Sequence, residues 1–293
     1  MGRLIVLMCL ISSAAFAARS ITDIMYLPSK GTWASTTKYT STTAEADVKN
    51  SPPATENTFS VISEEILYST SNNLALSLGF DYTLSGENKT GGTYDYASGI
   101  DDVTIAARWR LKETDNSRMD IKISFSDSLG ETETGTATVE GNNKAGGSSA
   151  KIAAEWGQSY GKNQSSLQIG IEKEAPTTTK NAVSGAVTSK TNSRLNYELL
   201  GTYQYGISDM NFLRANLSLK MLDDSLLAAA GSTPTEFKAP SYGLGLAYGH
   251  QLKKEGWLLS VGADYNTVDF EIAPTTEGSV NTMAYYVSLR GQF

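Results

Sequence analysis

Charged residues recur at a spacing of two along several stretches of this chain. Arg108 and Arg110 stand among Asp102, Thr104 and Ala106, while Val103, Ile105, Ala107, Trp109 and Leu111 fill the positions between. Asp120 and Lys122 repeat the pattern with Arg118, Ser124 and Ser126, against Met119, Ile121, Ile123 and Phe125. Lys151 and Glu172 sit the same way in two later stretches. Ionic side chains on one face of an otherwise apolar strand can do two things. They can pair across strands and fix a wall, or they can line an aqueous passage and screen solutes by charge. Both readings stay open at this point. If a turn at Asp115-Asn116 joins two of these strands, Arg110 falls near Asp120, and Arg108 near Lys122 with Asp120 diagonal. In a hairpin joining the next two, Lys151 falls opposite Glu172. Three positive charges against one negative predict a cationic patch that favours anions.

Catalytic chemistry has less to work with. The chain holds one histidine, His250, which shares parity with Tyr242, Leu244, Leu246 and Tyr248 and lies beside a tight turn, away from any candidate nucleophile. The expectation is that this is not an enzyme. The loop carboxylates Glu131, Glu133 and Glu140 read as solvated surface bridged to lipopolysaccharide by divalent ions. No histidine-rich, cysteine or calcium-loop pattern offers a metal site, and no motif calls for a cofactor.

The segments that carry these residues are strands. Twelve of them follow one another, from about Thr32 to the terminal Thr282–Phe293, which reads TMAYYVSLRGQF. Strict alternation over so many short runs gives one apolar and one polar face to each strand. Connections are expected to be tight after even-numbered strands, near Ser71-Asn72, Asp115-Asn116, Gly161-Lys162, Ser208-Asp209 and Lys254-Glu255. Those after odd-numbered strands, including Ala44–Asn57 and Glu271–Asn281, are expected to be long. Short and long turns in alternation, with an even strand count, predict an all-β, 12-stranded antiparallel transmembrane barrel with both termini on the periplasmic side. Aromatic residues near both strand ends, such as Trp109, Trp156 and Tyr205 at one and Phe125, Tyr197 and Tyr285 at the other, predict two girdles at the lipid headgroups. In the second strand, Glu64 and Glu65 put a charge on each face, which a bulge or rim position must resolve.

Export fits this picture. Met1–Ala17 has Arg3, an apolar run from Leu4 to Ile11 and the small-x-small site Ala15-Phe16-Ala17, the marks of a cleaved signal peptide. The single cysteine, Cys9, lies within it and follows Met8, which argues against lipidation. Residues 18–30 form an N-terminal periplasmic or lumenal arm, and 31–293 the barrel. A formal net charge of −7 offers no basic surface for nucleic acid. The last strand, with Tyr285, Val287, Leu289 and terminal Phe293 on one parity, resembles the C-terminal signal by which outer-membrane barrels are recognised by their assembly machinery.

Ser98–Leu111, SGIDDVTIAARWRL, is similar to a recurring element of an outer-membrane family known as putative members of the meta pathway of phenol degradation: a glycine–aspartate turn, then a strand ending in an aromatic flanked by basic residues. The resemblance implies a transporter-like 12-stranded barrel and a passive pore, without naming the solute. The function expected is a channel for small solutes, charge-screened by Arg108, Arg110, Asp120, Lys122, Lys151 and Glu172. The alternative is a closed structural barrel whose loops bind partners. Expected partners are outer-membrane lipid and lipopolysaccharide, the assembly machinery and small solutes, with no nucleic acid.

Overall fold

A computed structural model describes residues 21–49, 55–89, 94–144, 146–222, 225–229, 235–253, 256–272 and 276–293. The signal segment 1–17 with Cys9, the chain start expected at Ala18 and the expected Lys254-Glu255 turn lie outside them.

Twelve long strands form the wall: β1 Trp33–Val48, β2 Thr55–Ser69, β3 Leu74–Asn88, β4 Gly99–Glu113, β5 Ser117–Ser128, β6 Ser148–Tyr160, β7 Asn163–Glu174, β8 Arg194–Gly206, β9 Asn211–Leu222, β10 Ser241–Lys253, β11 Trp257–Ile272 and β12 Thr276–Gln292. Each pairs antiparallel with its sequence neighbours, and β1 pairs with β12 from Ala34↔Gln292 to Val48↔Gly278, so the sheet closes. Closure leaves no open edge and satisfies every wall strand on both sides, the condition for a sheet in lipid. No helix among the described residues is long and apolar enough to cross a membrane, so any crossing falls to the strands.

Alternation decides which way each side chain points. Leu76, Leu78, Ile105, Trp109, Ile123, Ile152, Ile169, Leu217, Leu246 and Val261 stand on the outside, from 43% to 65% exposed, an arrangement that only an apolar surrounding makes favourable. Aromatics bound this belt. Trp33 stacks on Tyr68 with ring centroids 4.4 Å apart at the short-turn end, where Trp109, Trp156, Tyr205 and Tyr248 are also exposed. Phe125, Tyr197, Tyr242, Tyr265 and Tyr285 face outward nearer the other end. The β6–β7 turn is two residues long, with Gly161 at φ 61°, a conformation open to glycine and costly for most others.

The strands run further than their apolar pattern. β1 continues to Val48, β11 to Ile272 and β12 begins at Thr276, so the expected long connection Glu271–Asn281 is almost entirely hairpin, with three residues left between the strands. Ala44–Asn57 is likewise mostly strand. Beyond the lipid both faces of a strand meet water, so polar residues on either face cost nothing and alternation disappears while pairing continues. The expected rule of long connections at every odd position therefore fails at the first and last hairpins. On the other side of the barrel the wall rises higher. Short segments Thr132–Thr134 and Thr178–Asn181 pair in parallel, and Val187–Thr191 pairs with Ser225–Ala229. The resemblance of Ser98–Leu111 implies a turn just before the strand, yet Asp101 lies with Asp102 inside β4 opposite an irregularity in β3, the two held by the hydroxyls of Thr83 and Ser128.

Glu64 and Glu65 resolve without a bulge between them. Glu65 points into the lumen, while Glu64 faces outward beside Phe80 and Thr37, whose hydroxyl donates to its carboxylate.

Candidate functional site

The inward faces of β4, β5 and β6 meet near the short turns. Beyond the Thr114–Asn116 connection a one-residue shift between Lys112 and Arg110 sets Arg110 opposite Asp120 and, in the same register, Arg108 opposite Lys122. Asp120 in turn faces Glu155 on β6. Two carboxylates side by side would repel, and the arginines prevent that. Arg110 Nε donates to Asp120 Oδ1 at 2.8 Å and Arg108 Nε to Oδ2 at 2.5 Å. Arg108 Nη2 reaches Glu155 at 3.3 Å, and Lys122 Nζ stands 2.7 Å from the same carboxylate. Asp120 is fully buried and Arg110 nearly so. With Glu155 and Glu113 taking part, the three cations of the expected patch face three carboxylates. The cationic excess expected here is absent, because the register brings in a strand that the hairpin alone does not show.

Residues 21–28 fill the lumen at this level. They belong to no strand and fold inward from the short-turn end. Ile21, Met25, Tyr26 and Leu27 are buried, and Ile21 and Tyr26 pack with the inward-facing Ala34, Phe212 and Leu258. A segment buried without sheet partners must find acceptors and donors elsewhere, and the wall supplies them. Ile24 N–H donates to Gln164 at 2.9 Å, and Gln204 Nε2 donates to the carbonyl of Thr22 at 3.0 Å. Arg108 Nη1 donates to the Tyr26 carbonyl at 3.1 Å, Arg110 Nη2 to that of Met25, and Ser69 Oγ to that of Pro28 at 2.8 Å. Asp23 pairs with Arg118, and Tyr26 Oη donates to Gln292 at 2.7 Å. Residues 21–28 of the arm lie in the lumen, and Arg108 and Arg110 each hold both them and the wall.

Higher in the lumen Lys151 does stand opposite Glu172, yet they are not each other's ion-pair partners. Lys151 pairs with Glu198 on β8, and Lys220 on β9 holds Glu172 at 3.0 Å. Gly170 explains the first. It lies directly between, opposite Ala153 on one side and Glu198 on the other, and a Cβ there would stand 3.2 Å from Lys151 Cε. The missing side chain opens a path across β7.

Two inward arginines were not singled out from the sequence. Arg214 donates twice to Gln204 Oε1, at 2.7 and 3.1 Å, and stacks on Phe212 at 4.9 Å. Arg290 donates through Nε to Thr36 at 3.2 Å, with its guanidinium 5.7 Å from the Tyr26 ring. Among the described residues neither has a carboxylate within ion-pair distance. Their parity was readable, and what was not readable is that neither closes an ion pair, although Glu65 stands across Thr36 from Arg290. Between Arg290 and the β4–β6 cluster lies a cavity of about 320 Å³ with Ile24 and Tyr26 among its lining residues.

The remaining sequence candidates lie outside the lumen. His250 bonds through Nδ1 to Asn211 at 2.7 Å, an amide that also accepts from Tyr248. Glu131 pairs with Lys180 rather than standing free. Among the described residues no group of three His, Cys, Asp or Glu side chains is close enough to hold a metal ion. Tyr285 and Val287 face outward, while Phe293 sits at the seam, exchanging backbone hydrogen bonds with Trp33 at 2.8 and 3.0 Å and meeting Trp257 edge-on at 5.5 Å.

Among solved structures, the COG4313 outer membrane channel from Pseudomonas putida F1 matches over 94% of this chain and 100% of its own, with TM-score 0.68 and 14% identity. The fold is that of an outer-membrane β-barrel. The translocator domain of autotransporter NalP from Neisseria meningitidis (TM-score 0.49, 12% identity, 90% and 89% covered) and the NanC porin (0.47, 8%, 86% and 98%) are more distant, and the assignment rests on the first. No family model and no curated protein matches the chain.

Proposed function

We propose that this protein is a passive outer-membrane channel for small solutes, narrowed at the short-turn end by residues 21–28 and screened by charge. The observation that carries this reading is the lumen itself. A 12-stranded bore lies between the filled 8-stranded and open 16-stranded cases, and here it keeps a charged, water-accessible cavity directly above the arm. The similarity to a protein described as an outer membrane channel supports it, as does the resemblance of Ser98–Leu111 to the phenol meta-pathway family. On this reading the short-turn end and both termini face the periplasm, the exposed belt contacts outer-membrane lipid and lipopolysaccharide, and the terminal strand addresses the assembly machinery. Arg214 and Arg290, rather than the balanced β4–β6 cluster, supply the positive excess, so the conductance is small and favours anions.

The tightness of the arm favours a second reading, a closed structural barrel whose loops meet partners. Single-channel recording in planar bilayers separates the two. A channel gives unitary currents in the wild type, larger ones after deletion of residues 21–28, and a reversal potential on the anion side in a KCl gradient. Silence from the wild type and from the deletion variant alike moves the assignment to the closed barrel.

A further inference from the structure

From the cavity above the arm we infer that this lumen binds a short-chain organic monocarboxylate, anchored on Arg290. The inference rests on the channel reading for its physiological meaning and on the geometry below for its chemistry.

Arg290 spends only Nε, on Thr36. Its two terminal nitrogens find no acceptor among the described residues, and the side chain lines the cavity. A guanidinium with both Nη groups free is a fork that matches a carboxylate in two parallel hydrogen bonds. Across the cavity stand Arg108, Lys122 and Lys151, whose own carboxylates Asp120, Glu155 and Glu198 are not among the lining residues. Among the described residues Glu65 is the one acidic side chain that lines it. The charges of Arg108, Lys122 and Lys151 are already met by Asp120, Glu155 and Glu198, so the group that lines the cavity with donors to spare is the guanidinium of Arg290.

Apolar contacts limit the rest of the ligand. Ile24 from the arm and Leu67, Ala34 and Ala153 from the wall line the same space, a surface that suits a hydrocarbon body rather than a second charge. A volume of about 320 Å³ holds a molecule of some six carbons beside a few waters. An inorganic anion would leave the apolar part empty, and an amine of equal size would meet the unspent donors of Arg290. Because the arm supplies Ile24 and Tyr26, the site exists only while the arm is seated.

Calorimetric titration of the protein in nanodiscs of zwitterionic lipid, with hexanoate, hexylammonium and hexanol as probes, tests this, followed by hexanoate addition during single-channel recording. Hexanoate is expected to bind and to interrupt the current, and hexylammonium to do neither. Arg290→Gln is expected to weaken hexanoate binding about tenfold or more, the loss of one charge-assisted pair, and Arg290→Lys by less. Thr36→Glu places a competing carboxylate on Arg290 and leaves the terminal strand intact. It is expected to abolish binding even where Arg290→Gln fails to assemble. Equal binding by wild type and Thr36→Glu, or equal binding of hexanoate and hexylammonium, overturns the inference. A wild type that conducts but ignores hexanoate removes the site and leaves the channel. One that binds hexanoate without conducting removes the channel and leaves the site.

Discussion

Arg110 ties the arm to the wall: Nη2 donates to the backbone carbonyl of Met25 while Nε holds Asp120 at 2.8 Å. Replacing it with glutamine removes both links. Asp120 keeps Arg108, so the loss is expected near the low end for a broken buried pair, about 3 kcal/mol. The arm also loses a bond that few other groups can replace. Arg110→Gln is therefore expected to lower the urea midpoint of unfolding and to make the segment around Met25 open to protease added from the short-turn side. Unchanged protection of that segment would show that Arg110 does not hold the arm.

A second handle on the arm is steric. Gly157 faces the lumen directly beneath the Met25 side chain, and a Cβ there would overlap its sulfur and stand 3.2 Å from Cγ. Gly157→Val leaves every charge in place. It is expected to displace the arm and raise conductance toward that of the variant lacking residues 21–28. If the current stays at the wild-type level, the arm does not set the constriction.

How much of this was legible follows from what alternation can and cannot encode. Parity along each strand assigned Leu78, Trp109 and Ile123 to the outside and Arg108 and Asp120 to the inside, because a period of two maps straight onto two faces. The tight turn between Glu113 and Ser117 placed Arg110 near Asp120, and a one-residue shift between Lys112 and Arg110 sets them directly opposite. Neighbours two strands away were beyond that logic. Glu155 neutralises the patch from β6, and Lys151 passes over Gly170 to Glu198, contacts set by closure and tilt rather than by any one hairpin. The arm was ambiguous for a different reason. A run such as Ile24-Met25-Tyr26-Leu27 has no partner in its own sequence, and its partners Gln164, Gln204 and Arg108 are scattered over three strands.

The outer face carries one misfit. Glu64 stands in the belt beside Phe80, with the hydroxyls of Thr37 and Ser35 as its partners. A carboxyl group facing hydrocarbon is unfavourable by less than the figure for a basic residue at the midplane, so Glu64→Leu is expected to stabilise the barrel by on the order of 1–2 kcal/mol. The converse substitution at an apolar site, Leu78→Arg, is expected to cost about 2–4 kcal/mol, whereas the inward neighbour Ser77 accepts a small polar residue freely. Unfolding titrations in detergent or lipid measure all three. A destabilised Glu64→Leu would mean that the face around β1 and β2 meets something other than lipid.

The last expectation concerns closure. The barrel has a single seam, where the first strand meets the last, and its lower end is held by Phe293. Its N–H donates to the Trp33 carbonyl at 2.8 Å, its carbonyl accepts from the Trp33 N–H at 3.0 Å, and its ring meets Trp257 edge-on. Tyr285, Val287 and Leu289 continue the same parity up the strand. Deleting Phe293 removes two seam hydrogen bonds and an aromatic contact, and it also shortens the motif resembling the assembly signal. These two effects separate by where the protein is folded. Refolding into detergent from urea tests the seam alone, and there the truncated chain is expected to fold with a lower unfolding midpoint but normal heat-modifiable migration. In cells the assembly step is added, and the truncated chain is expected to accumulate unfolded or be degraded before reaching the membrane. Normal membrane levels in cells together with a lowered midpoint in detergent would leave Phe293 as a seam residue and remove its role as a signal.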